Sequence, residues 1–258
     1  DSVRAIAQSL LGYGLSAERP LVLLSGNDIE HLQVALGAMY AGIPYCPVSP
    51  AYSLLSQDYS KLRHVCELLQ PGLVFVSDAA AYGRAIDAVL PLDTPLISVR
   101  GEVAGRPQVS FASLLEQPGG AEAEAAFAAT GPDTIAKFLF TSGSTRLPKA
   151  VITTQRMLCA NQQMLLQTFP VFGEEPPVLV DWLPWNHTFG GSHNLGIVLY
   201  NGGSFYLDDG KPTAQGFAQT LRNLKEISPT AYLTVPKGWE ELVSALEQDG
   251  ELRDSFFK

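Results

Sequence analysis

The chain has 258 residues, of which 46% are hydrophobic and 17% are charged, and its formal net charge is −9. This length and composition predict a globular protein with a sizeable core and exclude a disordered one. The acidic balance argues against a nucleic-acid-binding surface and against an anionic membrane surface, because both need clustered basic residues. A phosphate-rich small ligand stays open, since backbone N–H groups hold phosphate without a basic domain.

The spacing of the cysteines and the hydropathy pattern indicate in which cellular compartment we expect the protein. Cys46, Cys66 and Cys159 lie too far apart in the sequence for a zinc knuckle or a redox pair, and we interpret them as small hydrophobic residues in a reducing cytosol. No apolar run approaches the roughly 18 residues of a membrane-spanning helix, and no signal peptide is visible. We therefore expect a cytoplasmic protein without a membrane span.

Short apolar runs alternate with helical patterns in the first half. Leu21–Leu24 is an apolar run, and Asp28 offers a cap for a helix that Gly42 ends. The spacing of apolar residues predicts further alternating elements over residues 45–48, 62–69, 73–76, 79–90 and 96–99. Residues 100–132 are rich in Gly, Ala, Glu and Pro, which predicts a surface excursion with one short helix.

The alternation resumes in the second half. Its predicted strands cover residues 136–140, 150–153, 178–181, 204–207 and 230–235. Its predicted helices cover residues 156–168, 192–201 and 214–227, with a last helix from about residue 237. The pattern predicts an α/β fold of parallel sheets flanked by helices on both faces. A connection over residues 172–177 divides it into a first subdomain, residues 1–172, and the start of a second, residues 173–258.

Ligands of such folds bind at the carboxyl ends of strands, which directs attention to the loops after residues 140 and 181. The first loop is dense in hydroxyl groups and backbone donors that can wrap phosphate oxygens, and its lysine adds a positive charge. A Ser/Thr-rich surface turn is the alternative interpretation, and the spacing of a Walker A loop is absent. The candidate phosphate-binding residues are Thr141, Ser142, Gly143, Ser144, Thr145 and Lys149.

The second loop carries His187 among tryptophan, phenylalanine and glycine residues. A histidine at a strand end, beside aromatic walls and glycines that leave room, suits a flat or apolar acid. A half-buried structural histidine is the alternative. His193 follows six residues later, but no Glu or Cys stands at metal-ligand spacing, so we predict no metal site. A serine hydrolase is disfavoured because no GxSxG motif occurs.

Both loops resemble motifs of the adenylate-forming superfamily, which contains acyl-CoA and aryl-CoA synthetases, luciferases and peptide-synthetase adenylation domains. The first loop resembles the signature Thr-Ser-Gly-Ser-Thr-Gly-x-Pro-Lys-Gly, with Arg146 and Ala150 in place of two glycines. The second resembles a Leu-Pro-x-x-His-x-x-Gly segment. The resemblance implies that the first loop handles the β- and γ-phosphates of ATP and that His187 is the catalytic residue that gates or orients the acid. It places near the substrate Trp185, Phe189, Gly190 and Gly191.

Residues 182–191, 193–196, 199–212 and 235–238 are similar to the feruloyl-CoA synthetase branch, whose members activate hydroxycinnamic acids. This resemblance implies an AMP-forming acid–thiol ligase that uses ATP, Mg²⁺ and CoA on an aromatic carboxylic acid. It leaves a homodimer open.

Relatives of this kind are roughly twice as long, the size of two joined domains. We therefore expect an incomplete N-terminal domain that lacks the magnesium-binding glutamate, the ribose-binding aspartate and the catalytic lysine domain. Our hypothesis is that the fragment itself is inactive. Two alternatives stay open. One is a non-catalytic ATP- or acid-binding module, which Arg146 in the phosphate loop favours. The other is an amino-acid adenylation domain that loads a carrier protein, although Asp208 and Asp209 are interpreted as a turn.

Overall fold

The computed structural model describes residues 1–141 and 147–258. Two compact units make up the chain, Asp1–Met157 and Leu158–Lys258. The division falls inside a helix, whereas the sequence analysis placed it after residue 172. The reason is packing, because Leu165 and Leu166 of this helix contact the buried cluster around Phe172 and Ile197.

The described strands of the first unit form one seven-stranded sheet with the order β5-β4-β3-β1-β2-β6-β7. They are β1 Leu21–Leu24, β2 Tyr45–Pro47, β3 Leu73–Asp78, β4 Leu96–Arg100, β5 Gln108–Ser110, β6 Ile135–Thr141 and β7 Lys149–Thr154. All neighbouring strands are parallel except β6 and β7, which form an antiparallel pair. The predicted α/β sheet is confirmed, and the antiparallel edge strand is the departure from it.

Helices cover both faces of this sheet. They are α1 Ser2–Leu11, α2 Ile29–Tyr40, α3 Ala51–Leu54, α4 Ser60–Leu69, α5 Ala79–Val89 and α6 Ala121–Ala129, with α7 Gln155–Thr168 beginning at its end. Strand β1 is buried along its whole length. Leu21 and Leu23 pack in one cluster with α1 and α2, while Val22 and Leu24 pack in another with α4 and α5. The continuous apolar run Leu21–Leu24 therefore fits a strand that is buried on both faces.

Residues 100–132 contribute more than the predicted surface excursion. The short helix, α6, is present, but β5 also adds an edge strand and Phe111 and Leu114 are buried in the core. Arg106 is buried and donates to the carbonyls of Leu90 and Pro91 and to Asp87. These bonds satisfy carbonyls near the end of α5, so a polar segment is held against the sheet.

The second unit contains a two-stranded parallel sheet of β8 Val178–Asp181 and β9 Ser204–Leu207. Its helices are the remainder of α7, α8 Val171–Glu174, α9 Leu195–Asn201, α10 Ala214–Glu226, α11 Pro236–Gln248 and α12 Gly250–Phe256. Leu179 and Val180 of β8 belong to different buried clusters, one with α9 and the other with α10, α11 and α12.

Two predicted elements of this unit differ from the structure. The helix expected over residues 192–201 is preceded by a π-helix, Phe189–Asn194, before α9 begins. The strand expected over residues 230–235 is wrong, because these described residues form no ladder with β8. Thr230 donates its N–H to the Val178 carbonyl, but its own hydroxyl accepts the Val178 N–H at 3.0 Å. A side chain therefore takes the donor that strand pairing would use.

Candidate functional site

The described ends of the first loop form a β-hairpin base. Thr141 and Lys149 are paired across the antiparallel ladder of β6 and β7, and both are exposed. The carbonyl of Pro148 lies 3.0 Å from His64 Nε2 on α4. The hairpin therefore brings a hydroxyl and an ammonium group together at the carboxyl end of β6. Four predicted phosphate-binding residues and the variant arginine lie outside the described residues, namely Ser142, Gly143, Ser144, Thr145 and Arg146.

A buried aspartate and asparagine close the second loop. Asp181, at the end of β8, is only 3% exposed and accepts hydrogen bonds from the Leu183 N–H at 2.9 Å and from Asn194 Nδ2 at 3.0 Å. Burial raises the pKa of Asp181 to about 6, and the two hydrogen bonds oppose that rise. The pair joins the strand end to the last residue of the π-helix, so the twelve intervening residues form a closed loop.

The glycine pair has a packing role. Gly190 and Gly191 are buried in the π-helix. A Cβ at Gly190 would lie 2.5 Å from the carbonyl oxygen of Leu183, and one at Gly191 would overlap the carbonyl oxygen of Trp185. The chain's own backbone therefore fills the space that was expected to admit the acid. Close approach of two backbone segments explains the need for glycine at both positions. That these glycines contact a substrate stays a prediction.

His187 lies on the exposed side of the loop. Its Nδ1 accepts a hydrogen bond from the Phe189 N–H at 3.2 Å, and its carbonyl accepts one from the Gly191 N–H at 2.9 Å. Because Nδ1 is an acceptor, the proton of the neutral ring is on Nε2. The loop thus presents a positioned N–H donor to solvent, which is suited to a carboxylate or phosphate oxygen.

The aromatic residues of the loop lie in two different environments, one buried and one partly exposed. Trp185 is buried and its ring lies 6.0 Å from that of Phe205 on β9. Phe189 is partly exposed and meets the ring of His193 edge-on at 5.4 Å. The structure therefore brings His187, Phe189 and His193 together on the more open side, while Trp185 packs inside. Their contact with an acid stays a prediction.

The sequence analysis missed two polar residues that hold this loop, Asn194 and Gln162, and one buried aspartate directly after the neighbouring strand β9, Asp208. Asp208, interpreted as part of a turn, is buried and accepts from Thr220 Oγ1 at 2.5 Å and Asn223 Nδ2 at 2.9 Å. Asn194 reaches Asp181. Gln162 on α7 donates to the carbonyl of Ser192 at 3.1 Å. The signal that could have found Asp208 is that it directly follows an apolar strand parallel to the strand that Asp181 ends, and such strand ends lie at one edge of a sheet.

Within residues 1–141 and 147–258, no group of three His, Cys, Asp or Glu side chains is placed to hold a metal ion. In the same part of the chain, every helix is too short or too polar to cross a membrane.

Comparison with known proteins gives relatives of greater length. The chain is 27% identical over 208 residues to a CoA ligase of Rhodococcus jostii for a propanoyl group that bears a methylated dioxo-octahydroindene ring system, covering 78% of the chain and 40% of that protein. It is 26% identical over 206 residues to the luciferin 4-monooxygenase of Photinus pyralis, covering 77% of the chain and 36% of the relative. The chain thus spans less than half the length of these relatives.

The fold is shared with a solved enzyme. ATP-bound MatB from Rhodopseudomonas palustris superposes with a TM-score of 0.69 at 20% identity, over 98% of the chain and 46% of MatB. At this identity the likeness shows a common fold. The family model described as AMP-binding enzyme matches residues 1–256, a range that includes both candidate loops. The chain therefore belongs to the AMP-binding enzyme family, the adenylate-forming superfamily.

Proposed function

We propose that the full-length protein that contains this chain is an ATP-dependent acid–CoA ligase for an aromatic carboxylic acid of the hydroxycinnamic, feruloyl type. The family match over residues 1–256 is the observation that carries the ligase chemistry. The Rhodococcus relative, which is named a CoA ligase for a ring-bearing acyl group, supports CoA as the acceptor and a cyclic acid as the substrate. The edge-on rings of Phe189 and His193 supply an aromatic wall for such an acid.

The reaction has two steps. A carboxylate oxygen attacks the α-phosphorus of ATP, which forms the acyl-adenylate and releases pyrophosphate. The thiolate of CoA then attacks the acyl carbonyl carbon, and AMP leaves with the bonding electron pair. Positioning and charge neutralisation carry most of such catalysis.

The exposed ends of the hairpin fit the phosphates of ATP. Lys149 offers an ammonium group and Thr141 a hydroxyl beside it. We assign contacts with the β- and γ-phosphates to these two residues together with Ser142, Gly143, Ser144 and Thr145. Mg²⁺ bound to the phosphate oxygens of the nucleotide would neutralise their charge.

His187 is assigned the role of orienting the acid. Its Nε2–H is a donor at the exposed side of the loop, and a hydrogen bond to the carboxylate would leave the other oxygen free to attack. Trp185, Phe189, Gly190 and Gly191 are proposed to form the adjoining wall, with the two glycines acting through the backbone that they allow to pack closely.

Acid-dependent ATP–pyrophosphate exchange tests this function. The full-length protein would be given ferulate, benzoate, a medium-chain fatty acid and a pool of amino acids. Exchange with ferulate supports the proposal. Exchange with amino acids alone would favour a domain that loads a carrier protein, and no exchange from a folded protein would favour a non-catalytic binding module.

The isolated chain provides a second test. We expect no thioester formation from it above a blank without enzyme, because it spans 40% of the length of its CoA-ligase relative. Measurable thioester from residues 1–258 alone would contradict that expectation.

A further inference from the structure

A hydrogen-bond chain leads from the buried end of β8 to a partly exposed imidazole. Asn194 Nδ2 donates to Asp181 Oδ2 at 3.0 Å, and Asn194 Oδ1 lies 2.8 Å from His193 Nδ1. Asp181 and Asn194 are almost fully buried, whereas His193 is partly exposed. The chain therefore connects the interior of the second unit to its surface.

The direction of this chain fixes the tautomer of His193. An ionised Asp181 can only accept hydrogen bonds, so Asn194 must turn its NH₂ group toward it and its oxygen toward the histidine. An oxygen acceptor at 2.8 Å requires the proton on His193 Nδ1. The Nε2 atom of the neutral ring is then a lone-pair acceptor. This arrangement is the reverse of His187, whose Nδ1 accepts and whose Nε2 carries the proton.

The position of the His193 ring is fixed as well. Gln162 Nε2 donates to the carbonyls of Ser192 at 3.1 Å and of His193 at 3.4 Å, which holds the π-helix against α7. Phe189 meets the imidazole edge-on at 5.4 Å. Within the part of the chain that the structure describes, no residue pairs with Nε2 of His193. A held ring with an available acceptor, beside an aromatic wall, is an arrangement that selects for a hydrogen-bond donor.

We propose that His193 is a specificity-determining residue that accepts, through Nε2, a hydrogen bond from a hydroxyl group on the ring of the acid. Asp181 and Asn194 are positioning residues that set its tautomer. This inference rests on the proposed function and adds to it a substrate feature, a ring that carries a hydroxyl donor. The loop thus offers two histidines of opposite polarity, a donor at His187 and an acceptor at His193.

The first test compares two acids that differ only in this hydroxyl. Exchange by the full-length protein is measured with 4-hydroxycinnamate and with cinnamate at about pH 8, well above the pKa near 6 of Asp181. We expect kcat/KM to favour 4-hydroxycinnamate by about tenfold, the value of one neutral hydrogen bond. His193→Phe, which keeps a ring beside Phe189, should bring this ratio to about one.

Asp208→Asn is the matched control. Asp208 is a buried aspartate directly after β9, much as Asp181 is a buried aspartate at the end of β8. Its side chain bonds to Thr220 and Asn223, and not to Asn194 or His193. This variant should keep the tenfold ratio. A wild-type protein without the preference, or a His193→Phe variant that retains it, would overturn the proposal.

A second measurement reads the tautomer directly. Histidine-selective ¹⁵N NMR of the full-length protein should show His193 with the proton on Nδ1. The Asp181→Asn substitution replaces one acceptor oxygen of this hydrogen-bond chain with an NH₂ donor. Asn194 should then rotate its amide, and the proton of His193 should move to Nε2. Finding the Nε2–H tautomer in the wild type would overturn the inference. The NMR measurement reads the tautomer without any ATP–pyrophosphate exchange. A failure of the proposed function can therefore be distinguished from a failure of the hydrogen-bond chain that joins Asp181 to His193.

Discussion

The loops that follow β1 and β8 use the same residue types and expose different atoms. After β1, Asp28 caps α2 and His31 is 3% exposed with its Nδ1 2.6 Å from Ser25 Oγ. After β8, Asp181 is buried, but His187 is exposed. The loop after β1 keeps its imidazole inside as part of the fold, and the loop after β8 exposes one to solvent.

Electrostatics does not separate the two loops. Burial raises the pKa of both Asp28 and Asp181 to about 6. It also lowers the pKa of His31 to about 4, with the charge of Lys137 adding to the effect. A strand-end aspartate with a perturbed pKa near a histidine is therefore no mark of a functional site by itself. Exposure of the imidazole is the property that distinguishes them.

The largest contrast is expected from the glycines of the two loops. Gly191→Ala places a Cβ against the Trp185 carbonyl, whereas a Cβ at Gly26, after β1, meets nothing within 4 Å. We expect Gly191→Ala to lower the free energy of unfolding of the second unit by about 4 kcal/mol, because two backbone segments must separate. Gly26→Ala is the control and should change it by less than about 0.5 kcal/mol. Urea unfolding monitored by far-ultraviolet circular dichroism, which reports on both units, measures both variants, and equal effects would remove the packing explanation.

Burial of His31 in the β1 loop should make the free energy of unfolding depend on pH by about 3 kcal/mol. His31 has a folded pKa of about 4 against an ordinary value of 6.5, so the unfolded chain binds more protons between these values. Its contribution to stability is present above about pH 6.5 and is lost as the pH falls toward 4.

The test subtracts the unfolding free energy of His31→Leu from that of the wild type at each pH. Asp28 and Asp181 contribute opposite slopes in the same window, but they do so in both proteins and cancel in the difference. A difference that stays constant from pH 7 to pH 4 would contradict the burial argument.

At neutral pH the same variant should separate folding from function. His31→Leu leaves the buried Ser25 hydroxyl without its 2.6 Å partner, at a cost of about 2 kcal/mol in unfolding free energy. The kcat/KM for pyrophosphate exchange by folded protein should stay within about twofold of wild type. A large loss of pyrophosphate exchange without a loss of stability would instead indicate that the β1 loop takes part in function.

His187→Ala should have the complementary effect. Its exposed ring has a backbone N–H as its described partner, so we expect less than about 0.5 kcal/mol of destabilisation. The kcat/KM for exchange should fall about tenfold, since one orienting hydrogen bond to the acid is lost. Separate kcat and KM values with ferulate check this, and unchanged exchange would withdraw His187 from the site.

The smallest effect should come from Asp28→Asn. Asparagine caps a helix as well as aspartate does, so α2 should be retained. Because the folded pKa of Asp28 is raised to about 6, its stabilising contribution falls as pH rises from about 4 to 6. The variant should therefore gain about 1 kcal/mol at pH 7, after allowance for partial exposure, and nothing near pH 4. A loss at pH 7 would mean that the charge on this carboxylate matters more than its burial.

Much of the fold was predictable because its signals are local. The apolar run Leu21–Leu24, the cap at Asp28 and the helical spacing over α4 follow from the order of neighbouring residues, and each element is present. The two candidate loops were predictable for the same reason, since each follows an apolar strand. The strand expected over residues 230–235 failed because the side chain of Thr230 competes for the Val178 N–H, which periodicity does not record.

The sequence by itself determined the alternation of strands and helices, the two candidate loops and the residue types that they carry. The tertiary structure decided which histidine is buried, that Gly190 and Gly191 pack against the chain's own backbone, and that Asn194 joins Asp181 to His193. The physical reason is range. Periodicity and capping act between near neighbours, whereas burial, close packing and the direction of a hydrogen bond depend on segments that only the folded chain brings together.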